Sequence, residues 1–385
     1  MIETEAWILR QSEASEAGLP GKLEREIYSF PELTGEEVLA EPIYGCWEAN
    51  MTHALKRHPV DVCRLRREKK VVLGNAGVVR VIQTGKAVSH LKEGDICVLI
   101  PIGQLDSFGY MIRVFGYDAA KTIGLLAKRI KLHHTQLMPI PANTRHSLRQ
   151  WAGFSVRYAT AWDNWKVAYG CFRLQMPQEE CPTPFVCGWG GGVALAELLL
   201  AKTYGCTAAM ISSNDKRLQL IREMGIIPID RRQFIELDYD DQKYESDHKY
   251  RGRYLSVERI FLDIIKELTG GMGVSIFIDN IGTPVLRATL KALGRQGVVT
   301  TTGWDKGSHM AFSRINECIG RHIHVHTHGS RFPDGLDGIR YAETSGWIPQ
   351  VESTSYSWDN IPQLAQDFAE GKLSSYFPIY QVNAM

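Results

Sequence analysis

The chain has 385 residues, of which 44% are hydrophobic and 23% charged, with a formal net charge of +1. That length fits about two globular domains, and the near-zero charge excludes a broad electrostatic attraction to nucleic acid or to an anionic membrane. No uncharged run approaches the ~20 residues of a membrane span, and the eight cysteines form no CxxC pair, so neither a zinc ribbon nor a dithiol redox motif is indicated. Scattered cysteines in a chain of this size fit a reduced, cytoplasmic protein. The first residues carry Glu3 and Glu5 and no long apolar run, so no signal peptide is expected.

In chain order, residues 1–40 mix short strand patterns with polar turns, and residues 37–41 (EVLAE) read as a half-buried strand. Residues 44–57, YGCWEANMTHALKR, read as a loop entering a helix. Residues 71–81 are β-branched and glycine-interrupted, and residues 96–102 form another strand pattern after the turn KEGD. A helix or strand pattern follows Tyr117 and Asp118, and residues 151–168 are aromatic and apolar on one helical face. Together these predict a β-rich first domain over residues 1–155.

Residues 184–211 change the pattern. A short apolar strand meets Gly188, Gly190, Gly191 and Gly192, an apolar helix begins at Val193, and a second strand follows. Strand, glycine turn, helix, strand is the front of a dinucleotide-binding unit. The glycines let the backbone turn sharply and approach a pyrophosphate, which the helix N-terminus attracts. The polar, charged residues 231–255 read as an insertion over the surface. Strand and helix then alternate: strand 274–279, helix 285–293, strand 297–302 and a last strand at 323–327. That alternation predicts a doubly wound α/β domain over residues 156–334, with residues 335–385 completing the first domain.

The segments LGNAGVVRVIQTGKAVSHLKEGD, GWGGGVA and LTGGMGVSIFIDNIGTPVLRATLKALGRQGVVTTTG resemble the medium-chain dehydrogenase/reductase superfamily. FGYDA before QLMPIP, YATAW, ISSNDKR and HGSRF resemble its crotonyl-CoA carboxylase/reductase and enoyl-reductase branch. The resemblance implies a Rossmann parallel sheet plus a β-rich GroES-like catalytic domain, an active cleft between the two lobes, and a homodimer. It implies a small-molecule substrate such as an acyl-CoA or carrier-bound acyl group, with no nucleic-acid or membrane partner.

The second strand ends Ser212-Ser213-Asn214-Asp215-Lys216-Arg217. Hydroxyls and cations there would hold a 2′-phosphate that a strand-end carboxylate would repel, which points to NADPH. The alternative is that Lys216 and Arg217 are ordinary solvated helix residues. Asn280, Gly303 and Trp304 follow the carboxyl ends of later parallel strands, where ligands bind in such sheets.

Relatives with catalytic zinc have a cysteine near position 46, a His-Glu pair after a glycine, and a third ligand further on. Here Cys46 stands near the first place, Gly74-Asn75-Ala76 at the second, and Arg157 or Tyr158 at the third. Zinc needs three protein ligands and an open position, so none is expected, and Cys46 reads as a buried apolar residue. The histidines at 322, 324, 326 and 328 would share one face of a strand, but are read as the terminal sheet strand rather than a metal centre.

The branch pocket uses an asparagine, an aromatic-acid pair and a histidine; Asn50 and the pair Tyr117-Asp118 fall at the first two places. At the histidine place the chain has Gly329-Ser330-Arg331-Phe332, and a guanidinium donates no proton at neutral pH, so reductive carboxylation is not expected. Glu48 is either a buried acid/base or a helix-start carboxylate held by the helix dipole. The expected activity is zinc-independent, NADPH-dependent reduction of an α,β-unsaturated acyl thioester or ketone, within specialised metabolism. The alternatives are a quinone or carbonyl reductase, or a non-catalytic NADPH-binding protein.

Overall fold

The structure is a computed structural model that describes residues 1–13, 19–303, 306–307, 321–327 and 335–385. It divides into unit 1, Met1–Ala159 with Arg331–Met385, and unit 2, Thr160–Ser330.

The first part of unit 1 runs β1 (Ile2–Arg10), β2 (Leu23–Phe30), β3 (Glu37–Cys46), α1 (Ala49–Lys56), α2 (Val62–Arg66), β4 (Lys70–Val72), β5 (Gly77–Thr84), β6 (Ile96–Leu99), β7 (Ile102–Leu105), β8 (Met111–Val114), β9 (Ile130–His133), β10 (Leu137–Pro139) and α3 (Leu148–Phe154). β1 joins β2 and β4 in one antiparallel sheet. A second sheet has the order β10-β6-β5-β3, with β9 also on β3. β3 is longer than the sequence pattern implied, because its β-branched and small residues continue through Gly45 and Cys46. Its register slips at Pro42, which has no N–H for the ladder. The inward faces, including Ile8, Val38, Trp47, Val71, Val79 and Leu125, form one apolar core. Trp47 is fully buried in that core and donates to Thr52 Oγ1 at 3.0 Å.

Helix α4 spans Arg157–Arg173. Unit 2 continues as β11 (Phe185–Trp189), α5 (Gly192–Thr203), β12 (Thr207–Ser212), α6 (Asp215–Glu223), β13 (Ile227–Asp230), α7 (Asp241–Ser246), α8 (His248–Leu268), β14 (Val274–Asp279), α9 (Thr283–Ala292), β15 (Leu293–Thr301) and β16 (His324–Thr327). All five neighbouring strand pairs are parallel, in the order β13-β12-β11-β14-β15-β16. The chain starts in the middle, builds outward to one edge, then returns and builds to the other. That reversal beside β11 is the topological switch point at which doubly wound sheets bind ligands.

The expectation for residues 231–255 needs correction. Phe234, Leu237 and Tyr254 are buried in the core of unit 2, and α8 begins at His248. Tyr254, Glu258, Phe261 and Ile265 recur at helical spacing, so one face of α8 is buried while its many charges occupy the others. The buried Glu258 is neutralised by Lys291 at 2.5 Å and Arg287 at 3.4 Å.

A second buried carboxyl lies within unit 2. Glu197, on α5, receives both of its hydrogen bonds from Asn164 Nδ2 (3.0 and 2.9 Å), and Asn164 Oδ1 accepts from Thr300 Oγ1 at 2.9 Å. Burial pushes the Glu197 carboxyl up from 4.5 to about 8, against the opposing pull of Asn164. The folded state therefore holds this proton more tightly than the unfolded chain. Its stabilising effect is complete below about pH 4.5 and is lost as pH rises through about 8. Glu197→Gln should make the denaturant midpoint less dependent on pH across that window, as read by unfolding curves at pH 5 and 8.

Unit 1 resumes with α10 (Gly335–Ser345), α11 (Ile361–Ala369) and β17 (Ile379–Gln381). β17 pairs antiparallel with β3, placing Ile379 opposite Cys46 and Tyr380 opposite Gly45. A side chain at Gly45 would collide with the Tyr380 ring, so only glycine fits there.

Candidate active site

In unit 2 the glycine turn lies at the carboxyl end of β11. Gly190 has φ +138°, and a Cβ there would stand 2.9 Å from Asn280 Cβ. Any L-residue at this position is both strained and crowded. Gly191 faces open space, and α5 starts at Gly192 with no side chain capping its first N–H groups. Val193 is half-buried and Ala194 fully buried, the small residue that lets α5 pack close to the strand. Gly188 is buried within β11. Uncapped amides, a positive helix end and open space at Gly191 are the features an anion site at a helix start requires.

β12 ends at Ser212, whose hydroxyl accepts from Asn214 N–H at 3.3 Å. Ser213 and Lys216 are exposed and Arg217 is half-buried. Asp215, the nearest acid, is engaged by Arg232 at 2.6 Å, so its charge is neutralised locally. Asn280 Oδ1 accepts from Thr302 N–H at 2.9 Å and so ties the ends of β14 and β15 together. Gly303 follows, with its N–H donating to Thr301 Oγ1 at 3.2 Å. Trp304, Arg331 and His328 lie outside the described residues. His322 precedes β16 in a left-handed conformation, φ 55°, and His324 Nε2 lies 2.6 Å from Gln175 Nε2.

In unit 1, Cys46, Glu48 and Arg157 form one buried cluster. Arg157 donates from Nη1 to Cys46 Sγ at 3.0 Å and from Nη2 to the Trp47 carbonyl at 2.7 Å, and its Nε lies 3.2 Å from Glu48 Oε2. The guanidinium also stands over the Phe377 ring, 5.6 Å from its centroid. Glu48 is at the N-cap position of α1, yet its side chain caps no backbone N–H. The carboxylate stands at the helix start but is turned to Arg157 rather than to the amides it could cap. Burial pushes the Glu48 carboxyl up to about 7, against the lowering pull of Arg157 and of the Cys46 thiol. Burial likewise pushes the Cys46 thiol up to about 12, so it is a thiol and not a thiolate.

Several buried polar atoms of these segments have no hydrogen-bond partner among the described residues: Glu48 Oε1, Asn50 Oδ1, both amide atoms of Asn75, and the Tyr158 and Tyr380 hydroxyls. Asn75 immediately precedes Ala76, whose carbonyl accepts the Cys46 N–H at 3.0 Å. Buried polar atoms left unpaired call for a partner such as a water, an ion or a ligand. Sequence reasoning singled out Glu48 and Asn50 but assigned no role to Arg157, and Asn75 and Tyr380 were not counted as site residues. The signal for Arg157 was its place at the expected third metal-ligand position.

Tyr117 and Asp118 are differently disposed. Asp118 accepts Val114 N–H at 2.6 Å and pairs with Arg113 at 3.1 Å, which locks the turn after β8. Tyr117 is half-buried against the unit 1 core, and burial with the Asp118 charge raises its phenol to about 12. Asp118 is thus engaged in holding its own turn, and Tyr117 stays a protonated phenol at neutral pH.

No protein-family model matches the chain. A zinc-type alcohol dehydrogenase-like protein YogA of Leptosphaeria maculans is 25% identical over 199 residues, which is 51% of this chain and 47% of that protein. The chain thus spans about half the length of this curated relative. The solved structure of crotonyl-CoA carboxylase/reductase AntE in complex with NADP superimposes with a TM-score of 0.82 at 21% identity, covering 100% of this chain and 95% of that one. The 2-octenoyl-CoA carboxylase reductase CinF, in complex with NADP and 2-octenoyl-CoA, gives 0.79 at 19% identity over 98% and 87%. An alcohol dehydrogenase from Pyrobaculum aerophilum gives 0.72 at 16% identity over 99% and 100%. The chain has the fold these enzymes share, that of the medium-chain dehydrogenase/reductases.

Proposed function

We propose that the protein is an NADPH-dependent oxidoreductase that reduces the C=C bond of an α,β-unsaturated acyl thioester or ketone without a catalytic metal. The observation that carries the reading is the uncapped glycine turn at the switch point of the unit 2 sheet. Gly190, Gly191 and the first amides of α5 would hold the pyrophosphate, and Ser213, Lys216 and Arg217 the 2′-phosphate. The cofactor supplies a hydride when bound.

Reduction of an activated C=C bond adds that hydride at the β-carbon and leaves an enolate, which needs stabilisation and one proton at the α-carbon. Glu48 supplies the proton. Its carboxyl, titrating near 7, is a competent acid at neutral pH, and Arg157 holds one oxygen so that Oε1 remains available. Asn75 Nδ2 offers an unpaired donor for a substrate carbonyl, and Asn50 Oδ1 an unpaired acceptor. A divalent ion at Cys46 would meet a permanent positive charge 3.0 Å from the sulfur. Among the described residues, Cys46 belongs to no group of three metal-ligating side chains. Both facts favour C=C reduction over carbonyl chemistry that relies on a Lewis acid, and turnover should be unchanged by chelators.

The test has two parts. Fluorescence titration should show NADPH binding more tightly than NADH, and the paired change Ser213→Asp with Lys216→Glu should reverse that order by placing carboxylates against the 2′-phosphate. Tighter binding of NADH to the unaltered protein refutes the 2′-phosphate assignment. NADPH oxidation should then appear with enoyl thioesters or enones and not with quinones or aldehydes. Binding without oxidation of any of them would favour a non-catalytic nucleotide-binding protein. Incorporation of labelled bicarbonate would restore reductive carboxylation. The setting in specialised metabolism, the homodimer and the cytoplasmic location belong to this proposal as well.

A further inference from the structure

Outside the site described above, the start of β3 and the end of β9 bring Glu36, His133 and His134 together. Glu37 pairs with His133 in the ladder, and His134 N–H donates to the Glu36 carbonyl at 3.1 Å. These backbone bonds fix the three residues beside one another. Their ligand atoms all lie within 4.8 Å of one another. His133 Nε2 lies 3.5 Å from Glu36 Oε2, while its Nδ1 is 2.8 Å from Thr135 Oγ1. The His133 and His134 rings stack with centroids 4.6 Å apart, and His90 meets His134 edge-on at 4.9 Å. His134 Nδ1 is buried and has no hydrogen-bond partner among the described residues.

We propose that Glu36, His133 and His134 form a binding site for a divalent transition-metal ion, independent of the reductase chemistry. A neutral imidazole presents one nitrogen lone pair, and on His134 the buried Nδ1 has no hydrogen-bond partner among the described residues. Two imidazoles and a carboxylate suit Zn²⁺, Co²⁺, Ni²⁺ or Cu²⁺, whereas Ca²⁺ and Mg²⁺ take oxygen ligands. Thr135 brackets His133 Nδ1, its N–H donating to that nitrogen at 3.4 Å and its hydroxyl standing 2.8 Å away, and so orients the ring with Nε2 turned toward Glu36. The neighbouring Glu37 is paired with Lys131 at 3.0 Å, so that cation is directed away from Glu36. Water completes the coordination, and His90 stands outside the ligand set. A bound ion would join β3 to β9.

Titration of the full-length protein with Co²⁺, followed by its visible ligand-field spectrum, tests this. One equivalent should bind, without a thiolate-to-cobalt band. His133→Ala and His134→Ala should each weaken binding by at least about 100-fold and Thr135→Val by about 10-fold, the range known for outer-shell partners. His90→Ala should change it little. Equal binding by the unaltered protein and the His133→Ala/His134→Ala double variant overturns the proposal, as does a thiolate band. Circular dichroism of each variant confirms that the fold persists, and since Co²⁺ binding is read without turnover, failure here leaves the reductase reading untouched.

Discussion

Glu48→Gln is expected to lower turnover of an enone or enoyl thioester by about 10²–10⁴-fold, the usual worth of a positioned general acid. NADPH binding should be unaffected, because Glu48 is proposed to serve the substrate and not to hold the cofactor. In the unaltered protein Glu48 must carry a proton to act. Its carboxyl titrates near 7, so kcat/KM should be level in acid and fall tenfold per pH unit above about 7. The glutamine variant should lose that limb along with the rate. Unchanged turnover in Glu48→Gln would remove the carboxyl from the mechanism and leave an ordered water as the proton source.

Arg157→Met should have the largest effect on stability. The guanidinium is buried and satisfies Glu48, Cys46 and the Trp47 carbonyl at once. Removing one member of a buried pair leaves an uncompensated charge and costs roughly 3–5 kcal/mol. The loss depends on pH. Without the guanidinium the Glu48 carboxyl moves above its present value near 7, so at pH 8 the folded state must keep it protonated while the unfolded chain ionises it freely, whereas at pH 5 the two states differ little. Denaturant unfolding should therefore show a smaller penalty at pH 5. The double variant Glu48→Gln/Arg157→Met should recover part of the loss at pH 8, since no carboxylate is left stranded. An equal penalty at both pH values, or no recovery in the double variant, would mean that the pair is not coupled as drawn.

How much of this was legible in the sequence follows the range of the interactions. The glycine turn was read correctly because its whole meaning is local: strand, turn and helix follow one another within a few residues. The parallel sheet was legible for the same reason, as alternating apolar strands and helices. Arg157 was invisible as a partner of Cys46 because 111 residues separate them. Glu48 was recognised as chemically suggestive, but sequence alone offered a dipole-stabilised helix start as an equal reading, and could not show that its side chain turns to Arg157, far along the chain. Residues 231–255 were misread because composition hides periodicity: Tyr254 leads a buried stripe through a strongly charged helix, and the charges dominate any count. The pair Tyr117-Asp118 was assigned by position, whereas Asp118 proves to be bonded to its own turn.

The pairing of β17 with β3 bears on how the protein is made. The strand that carries Gly45 and Cys46 emerges early from the ribosome, yet its neighbour on one side, residues 379–381, is synthesised only after the whole of unit 2. Unit 2 is continuous in the chain and can complete its sheet as soon as it emerges. Unit 1 must wait, with the Tyr44–Cys46 end of one β3 edge unpaired and Gly45 uncovered by Tyr380, although β9 already covers the Glu37–Ala40 end of that edge. Nascent unit 1 is thus the natural client for a chaperone that shields sheet edges, and slowing translation near residue 370 would prolong that need.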